Sequence, residues 1–128
     1  MPLFKSNLEE TVWKKLRVDF PILKYEPDKF KYTQPAQDRT YTPDFKLGKN
    51  LYIETKGRLD LDTRKKMVWF KDDNPEVRII FLFMNANNTI SKKSKTTYWM
   101  WAESAGFEWL DFRGAWLAGL NTLLEGKK

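Results

Sequence analysis

Residues 77–84 (Val-Arg-Ile-Ile-Phe-Leu-Phe-Met) form an almost unbroken apolar stretch, which constrains the fold more than any other segment of the sequence. A strand that is buried on one face alternates apolar and polar residues, whereas a strand that is buried on both faces is apolar almost throughout. The stretch is too short to cross a bilayer. It therefore predicts the central strand of a sheet with helices on both sides, which is a mixed α/β domain.

The remaining sequence predicts the other elements of such a domain. Ser6-Asn7-Leu8-Glu9 is typical of a capping box, and the apolar spacing after it predicts a first helix over about residues 7–18. Further helices are expected from Asp60 or Asp62 to about residue 72, over 97–105 and from 116 onward, with strands over 40–47, 51–56 and 107–110. Gly48-Lys49-Asn50 predicts a hairpin turn, whereas residues 35–39 and 85–96 are typical of polar connections. No linker divides the sequence, so residues 1–128 are expected to form a single domain.

The residue types that the chain lacks restrict its chemistry. It contains no Cys and no His, which excludes disulfides, thiolate zinc sites and Ser-His-Asp triads. A metal would have to be bound by oxygen atoms, which favours Mg²⁺, Mn²⁺ or Ca²⁺. The net charge of +6 favours nucleic acid as a partner, although a basic surface can also serve solubility alone. Residues 1–10 contain no apolar leader, so we expect a cytoplasmic protein with no membrane partner.

Two oppositely charged side chains share one face of a predicted strand. Side chains alternate between the faces of a strand, so Glu54 and Lys56 are neighbours. Asp44 lies on the opposite strand of the predicted hairpin, where its carboxylate can approach Glu54. Paired carboxylates bind hard divalent cations, and an adjacent lysine stabilises the negative charge that develops when a phosphodiester is hydrolysed. An ordinary exposed hairpin could carry the same residues, and the pattern alone leaves both interpretations open.

The segment Tyr41-Thr42-Pro43-Asp44-Phe45 … Ile53-Glu54-Thr55-Lys56-Gly57 resembles the active-site region of the phage endonuclease I family, whose members resolve Holliday junctions. The resemblance is colinear over about residues 6–116 and continues through Asp62-Thr63-Arg64-Lys65-Lys66, Asn74-Pro75-Glu76 and Arg78-Ile79-Ile80-Phe81. It implies a restriction-endonuclease-like fold, with a mixed sheet flanked by helices. By position, it also implies that Asp44 and Glu54 bind metal, that Lys56 is catalytic, and that Glu9 is a further catalytic residue. Glu9 also fits the capping box, and the two roles can coexist.

The resemblance implies a reaction and an assembly as well. Members of the family cut four-way junctions and other branched DNA by paired, Mg²⁺-dependent hydrolysis that leaves 5′-phosphate ends, and Mn²⁺ is expected to substitute for Mg²⁺. They form domain-swapped homodimers, so the first helix (about residues 6–20) is expected to pack on a partner chain, through a bridge at residues 31–39, and to place Glu9 in the partner's site. One acidic position of the family is occupied by Lys24 here, with Glu26 two residues later, and Glu26 is not counted in the site.

Basic residues around the site are expected to bind DNA phosphates without reading sequence. The strongest candidates are Arg64 and Lys65, because they follow the site and the family has basic residues there. The full set is Arg58, Arg64, Lys65 and Lys66, with Lys14 and Lys15 on the first helix and Lys92, Lys93 and Lys95 in the connection at 85–96. An ordinary solvated surface is the alternative. Most of the Trp residues are expected in the core, and none is assigned to DNA.

Two other functions stay open at this point. One is a different restriction-like nuclease, such as a transposase-like or mismatch-nicking enzyme. The other is a basic nucleic-acid-binding module without catalysis, which would bind DNA after the loss of Asp44 and would show no metal-dependent cleavage.

Overall fold

A mixed sheet with helices on both faces forms the body of the structure, a computed structural model that describes residues 2–34 and 37–125, without the side chains of residues 34, 37 and 38. In chain order the elements are α1 (Asn7–Asp19), β1 (Lys24–Tyr25), β2 (Phe30–Gln34), β3 (Gln37–Tyr41), β4 (Phe45–Gly48), β5 (Leu51–Lys56), α2 (Leu61–Asp73), β6 (Arg78–Phe83), α3 (Tyr98–Ser104), β7 (Glu108–Asp111) and α4 (Trp116–Glu125). Five of the described strands form this sheet, in the order β1-β4-β5-β6-β7, and β2 pairs with β3 in a separate hairpin. The strands β1, β4 and β5 are antiparallel, whereas β5, β6 and β7 are parallel. The mixed α/β prediction is confirmed.

The apolar stretch lies where the sequence predicts, as strand β6 between β5 and β7. On one face of the sheet Phe81 packs against α2 and α3 through residues such as Met67. On the other face Ile80 packs against Leu16 of α1 and Leu120 of α4. Burying a side chain of this size stabilises the fold by roughly 1.5–3 kcal/mol. The two cores explain why both faces of β6 are apolar, and the second core includes the contacts of α1 with the sheet.

Helix α1 begins at the predicted capping box, but one of the two capping bonds is displaced. The Ser6 hydroxyl accepts a hydrogen bond of 3.2 Å from the backbone N–H of Glu9. In a standard capping box the glutamate accepts from the N-cap N–H, whereas Glu9 Oε1 accepts here from the backbone N–H of Lys5, at 3.0 Å. The same oxygen accepts from the hydroxyl of Tyr25 in β1, at 3.1 Å. These bonds hold the buried Glu9 carboxylate against the edge of the sheet.

The sequence predicts one strand over residues 40–47, and this prediction is wrong because the chain breaks between two strands. Strand β3 ends at Tyr41 and β4 begins at Phe45. Pro43 lies in the gap, and proline has no N–H with which to continue a ladder. The break places Asp44 immediately before β4, beside β5.

The polar connection predicted over residues 35–39 is also partly wrong. Strand β3 begins at Gln37 and pairs with β2, while residues 35 and 36 lie outside the described residues. The hairpin packs on α2, since Tyr32 and Tyr41 belong to the same buried cluster as Phe70. Asn74, just after α2, also bonds to β2: its side-chain amide donates to the carbonyl of Lys31 at 3.0 Å.

The predicted boundaries of the other elements hold closely. Asp60 is the N-cap of α2, and its carboxylate accepts from the backbone N–H of Thr63 at 2.8 Å. Asn50 has a left-handed φ of 56° in the turn between β4 and β5, a conformation in which Asn is enriched. Gly106 ends α3 with a φ of 84°, which favours glycine. No helix in the described part of the chain has both the length and the apolar character that a bilayer span requires.

Candidate active site

Glu54 and Lys56 extend from the same face of β5, as the strand periodicity predicts. Lys56 Nζ lies 3.1 Å from Glu54 Oε2. The side chains of Glu54 and Lys56 are 5% and 19% exposed, so the pair does not lie on an ordinary exposed hairpin. A carboxylate this deeply buried is unfavourable unless its oxygens are bonded or paired with a cation.

Hydrogen bonds from backbone N–H groups hold the carboxylates of Asp44 and Glu54 next to each other. Oδ2 of Asp44 accepts hydrogen bonds from the backbone N–H of Thr55 at 2.9 Å and from its hydroxyl at 2.8 Å. The backbone N–H of Asp44 donates to Oε1 of Glu54 at 3.2 Å. Burial, and next the negative charge of Glu54, raise the pKa of Asp44 to about 8, although the bonds from Thr55 act in the opposite direction. The site thus brings together two carboxylates that disfavour each other's charge.

Tyr41 is a site residue that sequence reasoning missed. Its hydroxyl donates to Oε1 of Glu54 at 2.8 Å, and the residue is 3% exposed. Burial, and next the charge of Glu54, raise the pKa of this hydroxyl well above its ordinary value. Tyr41 lies within the segment that resembles the family's active-site region, but strand periodicity gives no reason to single it out.

A cluster of three carboxylates lies at the edge of the site. Glu9 from α1, Glu26 from the segment after β1 and Asp44 each offer an oxygen, and these oxygens all lie within 4.8 Å of one another. Glu26 has a left-handed φ of 47°, which is uncommon for a residue with a side chain. Its backbone N–H donates to the carbonyl of Asp44 at 2.8 Å. Glu26 lies two residues after the position that is acidic in the family and is not counted among the predicted site residues, and no local pattern predicts its left-handed backbone.

The carboxylate cluster fits a hard divalent cation. Its donors are all oxygens, which suits Mg²⁺ or Mn²⁺. Lys5 Nζ lies 3.0 Å from Oε2 of Glu26, and this ion pair, together with the charges of Asp44 and Glu9, raises the pKa of Lys5. The Lys5 ammonium therefore acts as a counter-ion for the carboxylate oxygens that could also bind a metal ion.

Glu54 is not one of the three converging carboxylates. Its Oε1 accepts from Tyr41 and from the Asp44 backbone, and its Oε2 pairs with Lys56. The family resemblance implies that Asp44 and Glu54 are metal ligands. The structure places the two residues in contact and brings Glu9 and Glu26 to the Asp44 side of the site.

The cleft over the site has a volume of about 380 Å³, and Lys66 reaches it from α2. The ammonium of Lys66 lies 5.1 Å from the ring centroid of Tyr41, in the geometry of a cation–π contact. Burial, and next the charge of Lys56, lower the pKa of Lys66. Lys66 thus lines the cleft together with Lys5 and Lys56.

The other predicted DNA-binding residues lie outside the lining of this cleft. Arg58 is exposed just after β5, and Arg64 donates to the carbonyl of Ile90 at 3.4 Å. Lys14 pairs with Glu10 at 3.4 Å and, with Lys15, lines a different cleft between α1 and α4. Lys65, Lys92, Lys93 and Lys95 are exposed, the last three in the predicted loop. Of this predicted set, the described structure places Lys66 in the lining of the site cleft.

Comparison with known proteins gives matches along most of the chain. The family model described as phage endonuclease I matches residues 1–121. Endonuclease I of Escherichia phage T7 is 36% identical over 108 residues, which cover 84% of this chain and 72% of the relative. Endodeoxyribonuclease 1 of Enterobacteria phage T3 is 37% identical over 108 residues, which cover 84% of this chain and 71% of the relative. The similarity thus extends far beyond the motif around Asp44 and Glu54.

Proposed function

Since this chain belongs to the phage endonuclease I family and is an endodeoxyribonuclease, we propose that it resolves four-way (Holliday) junctions and other branched DNA by Mg²⁺-dependent hydrolysis. The observation that carries the proposal is the buried contact between Asp44, Glu54 and Lys56, with the Glu9 carboxylate beside it. The absence of His from the sequence is compatible with this chemistry, because oxygen ligands and a lysine suffice for it.

Asp44 would hold the metal together with Glu9 and Glu26, whose oxygens converge with its own, and with Glu54, whose oxygens also contact Tyr41 and Lys56. A bound Mg²⁺ or Mn²⁺ would supply Lewis-acid stabilisation of the negative charge on the phosphodiester. Asp44 is already oriented for this role, since Thr55 fixes one of its carboxylate oxygens. Preorganised groups of this kind need no rearrangement when the reaction occurs.

Lys56 provides a positive charge from a side chain, in addition to the charge of the metal ion. Its ammonium lies beside Glu54 at the site cleft, where it donates to the attacking water or to a non-bridging oxygen of the phosphate. Lys66 and Lys5 add further positive charge to the same cleft. Water attacks phosphorus and the bond to the 3′-oxygen breaks, which leaves a 5′-phosphate and a 3′-hydroxyl. Removing one preorganised donor of this kind typically lowers a rate by about 10²–10³.

A restriction-endonuclease-like fold and a domain-swapped homodimer are part of the proposal. In the single chain α1 packs on its own sheet, and the β2–β3 hairpin joins this N-terminal part to the rest of the molecule. If β2 separated from β3, α1 and β1 could make the same contacts on a partner chain. Glu9 and Glu26 would then act in trans, and a twofold dimer would present two sites to a substrate that needs paired cuts.

Mixing inactive variants tests the swap. Glu9→Ala and Glu54→Ala chains would form a heterodimer with one intact site only if Glu9 acts in trans, so cleavage should return after subunit exchange. A mixture of Asp44→Asn with Glu54→Ala is the matched control, because both residues stay with the body of the chain and no intact site can form. Absence of recovery in the first mixture, with exchange confirmed, would exclude the swap.

Cleavage of a synthetic four-way junction, beside a linear duplex of the same sequence, tests the substrate and the metal. We expect Mg²⁺-dependent cutting of the junction, no cutting in EDTA and much slower cutting of the duplex. Equal cutting of both substrates would favour a different restriction-like nuclease. Binding without metal-dependent cutting would favour a non-catalytic nucleic-acid-binding module.

A further inference from the structure

A second cleft, with a volume of about 500 Å³, lies beside the site between the β2–β3 hairpin and α2. Thr40 and Lys66 line both clefts, so the two clefts adjoin along a shared surface. The second cleft is further lined by Arg39 of β3 and by Lys65 and Trp69 of α2. A strand of nucleic acid that enters the site can therefore continue along this surface.

The charge of the second cleft is strongly positive. Of the residues with described side chains, its lining contains Arg39, Lys65 and Lys66 but only one carboxylate, that of Asp62. Among the side chains that the structure describes, none of these three cations forms an ion pair with a carboxylate. Unpaired cations that converge on a concave surface repel each other, and an anionic ligand relieves this repulsion.

The elements that carry these cations are held rigidly against each other. The ring of Tyr41 in β3 and the ring of Phe70 in α2 meet edge to face, with centroids 4.8 Å apart. Lys65 and Trp69 are four residues apart on α2, so they lie on the same face of the helix. The backbone positions that carry these cations are thus held by packed secondary structure, which gives a binding site its precision.

We propose that this second cleft binds backbone phosphates of the DNA strand that continues past the scissile phosphate, with Arg39 and Lys65 as the phosphate ligands. The guanidinium of Arg39 can bind two phosphate oxygens at once, and Trp69 forms the apolar part of the wall. The inference rests on the proposed function, because it takes DNA as the substrate. It adds Arg39, which sequence reasoning placed in a polar connection and did not assign to DNA.

Scanning one strand of a four-way junction with single methylphosphonate linkages tests the site, because each linkage removes the charge of one phosphate. Binding is measured in EDTA with the full chain. For the wild-type protein, neutralising a short run of phosphates next to the cleavage position should weaken binding. Arg39→Gln should bind unmodified junction roughly tenfold more weakly, lower the slope of log K against log salt by about 1, and lose its sensitivity to those linkages.

Arg17→Gln is the matched control, since Arg17 is an exposed arginine of α1 and the change removes the same charge. This variant should keep the wild-type pattern of sensitivity. The inference is overturned if Arg39→Gln also keeps that pattern. The scan needs no cleavage, so its result bears only on the phosphate site. Mg²⁺-dependent cutting of the junction is measured separately and bears only on the proposed function.

Discussion

The hydroxyl of Tyr41 donates a hydrogen bond of 2.8 Å to Oε1 of Glu54, and both residues are buried. The bond links the β2–β3 hairpin to the central sheet at the point where Glu54 meets Lys56. Since the pKa of Tyr41 is raised by burial and by the charge of Glu54, the hydroxyl keeps its proton and remains a donor at neutral pH. Tyr41 therefore positions the carboxylate that the proposed metal would need.

Tyr41→Phe should lower the cleavage rate by roughly tenfold to a hundredfold, because a carboxylate that loses its orienting bond is displaced from the reactive geometry. Junction binding in EDTA should be unchanged. Tyr52→Phe is the control, since the Tyr52 hydroxyl also donates to a carboxylate, that of Asp28 at 2.6 Å, outside the site. The single-turnover cleavage rate is measured for both variants. An equal loss of rate in the two would rule out a positioning role for Tyr41.

Glu26→Gln should weaken the binding of Mn²⁺ to the DNA-free protein by roughly tenfold, the lower end of the effect of removing groups around a metal. The prediction follows from the convergence of Glu26 with Glu9 and Asp44. Isothermal titration calorimetry measures the affinity directly, without reference to activity. Glu76→Gln, at an exposed position after α2, is the control. An unchanged Mn²⁺ affinity in Glu26→Gln would remove this residue from the metal site.

Asp44→Asn should make the protein more stable in EDTA, by roughly 1–2 kcal/mol. The change removes one of three converging carboxylates and keeps an oxygen that can accept from Thr55. Excess Mn²⁺ should raise the midpoint of thermal unfolding of the wild-type protein and have little effect on the variant, because a ligand stabilises only the form that binds it. A lower unfolding midpoint for Asp44→Asn than for wild type, both in EDTA, would contradict the repulsion argument.

Asp60 should contribute stability that depends on pH. Hydrogen bonds from Thr63 lower the pKa of Asp60 below its ordinary value of 3.8, so the charged form stabilises the fold. This contribution is present above the unfolded pKa and is lost as the pH falls through the lower, folded pKa. Asp60→Ala should cost about 1 kcal/mol at neutral pH because the helix loses its N-cap.

Asp60→Asn separates the cap from the charge. Asparagine is also a good N-cap, so this variant should lose little stability at neutral pH and should lose less than the wild-type protein below about pH 4. Chemical denaturation over a range of acidic pH measures the difference. Identical pH profiles for wild type and Asp60→Asn would mean that the carboxylate charge does not contribute.

Strand periodicity and helix-capping rules predicted the features whose cause lies in neighbouring residues. The continuous apolar sequence of β6 requires burial on both faces, and the alternation along β5 places Glu54 beside Lys56. Ser6 and Asp60 start their helices as capping rules predict. In each of these cases the physical cause lies within a few residues of the feature.

The remaining site residues depend on contacts between distant parts of the chain. Tyr41 reaches Glu54 only because the chain breaks at Pro43 and β3 packs on α2. Glu26 joins the carboxylates through a left-handed backbone that is stabilised by tertiary contacts. Arg39 enters a cleft whose other wall is α2. No periodicity or capping rule in the sequence encodes these relationships.

The most direct test of the proposed chemistry is single-turnover cleavage of a four-way junction by Asp44→Asn and Lys56→Ala in Mg²⁺, with binding measured in parallel in EDTA. Both changes remove groups that act on the reacting phosphate and leave the surrounding basic residues intact. The predicted result is a loss of rate of at least about 10²-fold in each variant, with junction affinity close to that of the wild-type protein. Cleavage by either variant at the wild-type rate would contradict the assignment of this site as the catalytic centre.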